Sequence, residues 1–123
     1  MPRPIHFEIP SDNPERIIAF YQTVFGWTVQ KWEGGDMPYW LVTTGPEGEP
    51  GINGGIMPKH HPQQPCVNTV GVANVDEALA TVTKNGGEIA VPKMAIPTVG
   101  WLAYAKDPEG NIFGMMQNDP SAK

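Results

Sequence analysis

Several features that would assign a protein quickly are scarce in this chain of 123 residues. It has one cysteine, Cys66, which excludes an internal disulfide and every multi-cysteine zinc site. The flanking Pro65 and Val67 carry no charge, so a buried, inert thiol is expected. Positive charge is short as well: eight Lys+Arg against thirteen Asp+Glu leave a net charge of −5. With no basic run to neutralise phosphates, no nucleic-acid partner is expected. No apolar stretch approaches the ~18 residues that cross a bilayer, so no membrane partner is expected either. The opening Met-Pro-Arg-Pro-Ile-His lacks the apolar core of a secretory signal, and a cytoplasmic location is the expectation. Ser-His-Asp order, a phosphate loop and a dinucleotide fingerprint are all missing.

Glycine and proline, by contrast, are abundant at fourteen each, as in short strands joined by turns. Ile5-His6-Phe7-Glu8-Ile9 alternates apolar and polar side chains, the pattern of a strand covered on one face. Ser11-Asp12-Asn13-Pro14-Glu15 offers caps for a helix carrying Ile17, Ile18, Phe20, Tyr21, Val24 and Phe25, which Gly26 stops. Strands are predicted over Trp27–Glu33, Tyr39–Thr44 and about Gly51–Met57, with a Pro-Glu-Gly turn at 46–48. After a polar, proline-rich linker at 59–66 the order returns. A strand at Thr69–Val72 leads to a helix at Asp76–Lys84, stopped by Gly86-Gly87. Strands at Glu88–Val91, Trp101–Ala105 and Ile112–Gln117 follow.

Landmarks in the two halves recur at nearly one offset. Gly26 matches Gly86, Trp40-Leu41 matches Trp101-Leu102, Pro46-Glu47-Gly48 matches Pro108-Glu109-Gly110, and Ile52-Asn53-Gly54 matches Ile112-Phe113-Gly114. Four matches in chain order argue for two copies of one strand–helix–strand–strand–strand unit, about 3–58 and 67–118, within a single α+β domain.

A repeated βαβββ unit with Ala19-Phe20-Tyr21, Phe25-Gly26-Trp27, Asn85-Gly86-Gly87 and an Asp107-Pro108-Glu109-Gly110 turn resembles the vicinal oxygen chelate superfamily. That superfamily holds glyoxalase I, fosfomycin and bleomycin resistance proteins, and extradiol dioxygenases. The resemblance implies curved mixed sheets around a concave pocket, with helices on the convex side. Strand alternation would then turn Ile5, Phe7 and Ile9 to the helix and His6 and Glu8 into the pocket. In metal-dependent members four ligands line that pocket, one from the first and one from the last strand of each unit. Carried over by position they fall on His6, Val67, Gly54 and Gly114, so one ligand of four is present. Shifts of one residue bring only Asn53 and Asn68 as possible donors, and amides are weak substitutes for carboxylates. No bound metal and no other cofactor are therefore expected, with a divalent metal as the alternative.

His6 and Glu8, two apart on one strand, are candidates for an acid/base pair. Trp40 and Trp101 would wall the pocket and stack a planar ligand, while Gly54 and Gly114 would leave room in its floor. His60-His61 in the linker point apart and read as solvated. The expected function is metal-independent binding of a small organic ligand by a homodimer, like the sequestering members of the superfamily. The alternative is a lyase, isomerase or dioxygenase working with a divalent metal or with His6 and Glu8.

Overall fold

A computed structural model describes every residue except Met1 and Asp36. The chain is α+β and divides into two compact units. One is His6–Cys66; the other is Val67–Lys123 together with the N-terminal residues through Ile5.

The first unit is built from β1 (Arg3–Ser11) from His6 onward, α1 (Pro14–Phe25), β2 (Thr28–Lys31), β3 (Trp40–Thr43) and β4 (Asn53–Pro58). Asn13 caps α1, its side chain accepting from the Arg16 amide at 3.2 Å, and Pro14 occupies the first turn where no amide donor is needed. Gly26 ends the helix in the left-handed region, φ 71°, and its amide donates to the Gln22 carbonyl at 3.0 Å. The strands lie in the order β2-β3-β4-β1, antiparallel except for the parallel β1–β4 pair. Register partners share a face, so Phe7, Val42 and Gly54 line up on one side, as do Ile9, Trp40 and Ile56. This is the side that meets α1: Phe7 and Tyr21 both pack on Trp27, at 5.8 and 4.8 Å between ring centroids. Val42 and Ile56 are the buried centre. The expected apolar stripe of α1 is only partly used, since the helix has no buried residue and Phe20, Val24 and Phe25 are exposed.

The second unit repeats the plan with β5 (Val67–Gly71), α2 (Val75–Lys84), β6 (Glu88–Ile96), β7 (Gly100–Lys106) and β8 (Ile112–Asn118), ordered β5-β8-β7-β6. Asn74 caps α2 by accepting from the Glu77 amide at 2.9 Å. The core beneath this helix is Val75, Leu79, Ala103, Ala105 and Met115. β6 runs five residues beyond the expected Val91. Pro92 is tolerated because β6 is the outer strand of this unit's order and its register shifts between Val91 and Met94.

Two expectations are corrected here. Cys66 is exposed rather than buried, because it ends the linker before β5 begins. Ile5 does not join Phe7 and Ile9 under α1; it is 41% exposed and lies near Gly71, grouped with the second unit. His60 and His61 are exposed on the linker. Among the described residues no helix is long and apolar enough to cross a membrane.

Ile56 is fully buried, so Ile56→Ala should cost about 2–5 kcal/mol in denaturant unfolding. A cost below about 1 kcal/mol would mean that the α1 side of the sheet is not a packed core.

Candidate functional site

The alternation that turns Phe7 and Ile9 toward α1 turns His6 and Glu8 to the opposite face of β1. There the two side chains are joined by Tyr39, which directly precedes β3. Its phenol oxygen lies 2.8 Å from His6 Nε2 and donates to Glu8 Oε2 at 3.1 Å. Room for the phenol comes from Gly55, the register partner of Glu8: a Cβ at Gly55 would collide with the Tyr39 hydroxyl and ring. Trp32 also contacts Tyr39. Its amide donates to the Tyr39 carbonyl at 2.8 Å, and its indole meets the phenol ring edge-on at 6.0 Å.

Proton placement follows from these contacts. With the Tyr39 hydrogen given to Glu8, the Tyr39 oxygen accepts, so His6 Nε2 carries the ring proton and Nδ1 keeps its lone pair. Burial of the ring pulls the His6 pKa below its ordinary value of 6.5, with the Glu8 carboxylate opposing that shift. His6 is therefore neutral near pH 7.

The remaining predicted residues are not gathered at this cluster. Trp40 shares the α1 side with Ile9 and Ile56, and its ring lies 5.8 Å from Lys31 Nζ. Trp101 packs against the core under α2, donates from Nε1 to Asp119 Oδ2 at 2.9 Å and has Lys93 Nζ 4.7 Å from its ring. Neither tryptophan is on the face opposite its unit's helix, because each falls on the helix-facing parity of its strand. Gly54 is corrected likewise: a Cβ there would strike the ring and carbonyl of Phe7, on the α1 side. Gly114 does lie away from its helix, in register with Thr69 and Tyr104. The glycine of the first unit that matches it in facing is Gly55. The repeat offset was one residue off at β4, and a slip of one residue exchanges the two faces.

Tyr39, Trp32 and Gly55 were not singled out from the sequence. Tyr39 opens the predicted strand Tyr39–Thr44, where alternation groups it with Leu41 and apart from Trp40, but that pattern does not say which of the two faces lies opposite α1. The only signal was the adjacent Gly54-Gly55, of which one glycine must face each side.

A four-ligand metal site does not fit these donors. His6 Nε2 and Glu8 Oε2 are tied together by Tyr39, the counterpart of His6 is Val67, and Gly54, Gly55 and Gly114 bring no side chain. Among the described residues no three His, Cys, Asp or Glu side chains form a group that could hold a metal ion.

Residues 3–115 match the family model described as Glyoxalase/Bleomycin resistance protein/Dioxygenase superfamily. Two curated relatives, from Mycobacterium bovis and Mycobacterium tuberculosis, are each named "Putative glyoxylase CFP32" and are 33% identical over 116 residues. The match takes in 92% of this chain and 43% of theirs, so the chain spans less than half the length of those relatives. A methylmalonyl-CoA epimerase in complex with methylmalonyl-CoA and NH4+ superposes with a TM-score of 0.73 at 12% identity, covering 100% of this chain and 99% of that one. The methylmalonyl-CoA epimerase of Mycobacterium tuberculosis gives 0.72 at 11%, covering 95% and 88%. At such identities these two structures speak to the fold alone.

Two outcomes are expected from the cluster. Gly55→Ala should displace Tyr39 and cost about 1–3 kcal/mol in denaturant unfolding; a change below about 0.5 kcal/mol would mean that Tyr39 is not held over Gly55. The depressed His6 pKa should also make stability fall as pH drops from about 7 to 5, because the unfolded ring takes up a proton that the folded one resists. That contribution is complete above 6.5 and is lost on acidification. A His6→Gln variant should therefore lose less stability than wild type over the same range, and equal slopes would contradict the burial of a neutral His6.

Proposed function

The chain belongs to the Glyoxalase/Bleomycin resistance protein/Dioxygenase superfamily, and from that premise we propose that it binds a small organic molecule without a metal, on the face of β1–β4 opposite α1. The observation that carries this reading is the His6–Tyr39–Glu8 cluster. A neutral imidazole, a phenol and a carboxylate are held in fixed relation on a sheet face whose opposite side forms the core. Fixing three polar side chains on one face supplies orientation at little further entropic cost on binding, which is what a small-molecule site requires. Leu41, in register with Gly55 and 41% exposed, gives the same face an apolar contact. The Glu8 carboxylate and the overall charge of −5 favour a neutral or cationic ligand over an anion. The epimerase structure named for its bound methylmalonyl-CoA supports a small-molecule role for the same fold.

The reading includes a homodimer. Exposed Phe20, Val24 and Phe25 on α1, with Ile89 and Met94 on β6, leave apolar surface that a second copy would cover.

A thermal-shift screen of neutral organic metabolites and divalent metals tests the proposal, with light scattering for mass. Expected are stabilisation by a neutral compound that His6→Ala removes, no stabilisation by Ni, Zn, Mn or Fe, and a mass of two chains. A ligand at about a hundred times its dissociation constant adds ~2.7 kcal/mol of stability. Close to one tightly held transition metal per chain, or a stabilising ligand indifferent to His6→Ala, would overturn the metal-free site.

A further inference from the structure

We propose that the face of β1–β4 opposite α1 takes a small organic cation, its alkylated ammonium head seated between the rings of Trp32 and Tyr39 with the Glu8 carboxylate as counter-ion. The proposal rests on the reading that a small molecule binds this face without a metal, and adds to it the class of ligand. Neutral compounds remain ligands, but of two compounds alike in shape the charged one is held more tightly.

Strand pairing brings Trp32 to this face. Lys31 is the register partner of Trp40, and the bond from the Trp32 amide to the Tyr39 carbonyl carries the same pairing one step further. One step exchanges faces, so Trp32 and Tyr39 lie opposite α1 with Gln30 and Leu41, while Lys31 stays with Trp40 on the α1 side. Two glycines then hold the indole. A Cβ at Gly34 would come within 2.6 Å of the Trp32 ring and one at Gly35 within 3.0 Å, so the backbone between β2 and β3 lies against it. Both aromatic residues are half-buried. Their ring planes stand 76° apart with centroids separated by 6.0 Å, which makes two walls of a corner.

Charge selects the occupant. Among the described strand residues of the first unit, Glu8 carries the one formal charge on this side of the sheet, since His6 is neutral near pH 7 and Lys31 lies on the other side. The Tyr39 hydroxyl donates to that carboxylate at 3.1 Å, which polarises the phenol and makes its ring face more negative. An indole face is the strongest side-chain platform for a cation. An alkylated ammonium suits such walls, because it has few or no N–H groups to satisfy and its charge is spread over the attached carbons. A primary ammonium brings three donors and needs oxygen acceptors that two rings do not supply. An anion meets Glu8.

The test uses the full chain, choline, and 3,3-dimethylbutan-1-ol, the neutral isostere of choline. NMR titration follows the methyl signals of each probe. Expected is choline binding about tenfold tighter than its isostere, with the bound methyl protons moved upfield by the ring faces. Trp32→Leu should abolish the difference. Trp32→Phe should keep part of it, and serves if the leucine variant does not fold. Glu8→Gln should narrow the difference severalfold. A lipid surface could present the same head group, so sedimentation with phosphatidylcholine vesicles is the second arm. No protein should sediment, because the lipid phosphate beside the ammonium would face Glu8.

Equal affinity for choline and its isostere overturns the cation proposal and leaves the binding reading standing. A preference for choline that survives in folded Trp32→Leu and Trp32→Phe overturns the aromatic corner. Binding of neither probe overturns the proposal, whereas the reading beneath it stands or falls with the thermal-shift screen of neutral compounds. Sedimentation with vesicles that requires Trp32 overturns the assignment to a small free ligand.

Discussion

Everything proposed for this protein hangs on one steric allowance: residue 55 has no side chain. The Tyr39 phenol occupies the space where a Cβ would be, and from there its oxygen reaches both His6 Nε2 and Glu8 Oε2. Two side chains on one strand, ~6–7 Å apart at the backbone, are too distant for a direct hydrogen bond without bending toward each other. A phenol between them closes the gap, fixes the imidazole tautomer and aligns the carboxylate. A polar pair on a sheet face thereby becomes an ordered cluster.

The same strand parity separates structural from chemical residues in both units. In the first, Phe7, Ile9, Val42 and Ile56 lie on the α1 side, and His6, Glu8 and Leu41 on the other. In the second, Ala103, Ala105 and Met115 form the core with α2, while Thr69, Tyr104 and Gly114 lie opposite. Each helix stabilises its sheet by covering one side, and the second side is left to other uses. Position on a strand, more than residue type, therefore separates Trp101, which packs on its core, from Tyr39, which joins the polar cluster.

The fold was legible because its signals are local and repeated: Asn caps ahead of each helix, glycine after it, and alternating strands in one order twice over. The facing of His6 and Glu8 followed from period-2 alternation in β1. What the sequence could not convey was register between strands distant in the chain. The repeat paired Gly54 with Gly114, whereas facing pairs Gly55 with Gly114, and that single residue placed a pocket glycine on the wrong side. Trp40 and Trp101 were misplaced for a related reason, since a shared offset reveals equivalence between the units but not which face the equivalent positions occupy. Tyr39 was passed over because its role is a long-range contact with a residue 33 positions away. Cys66 was assigned by the charge of its neighbours, while its exposure is set by its place at the end of a linker.

A double-mutant cycle on unfolding free energy, combining His6→Ala with Tyr39→Phe, measures the central interaction without any ligand. If the phenol bridges imidazole and carboxylate as described, the two substitutions should be non-additive by about 0.5–3 kcal/mol. Additivity within about 0.3 kcal/mol would contradict the account, because it would mean that His6 and Tyr39 make no energetic contact in the folded protein.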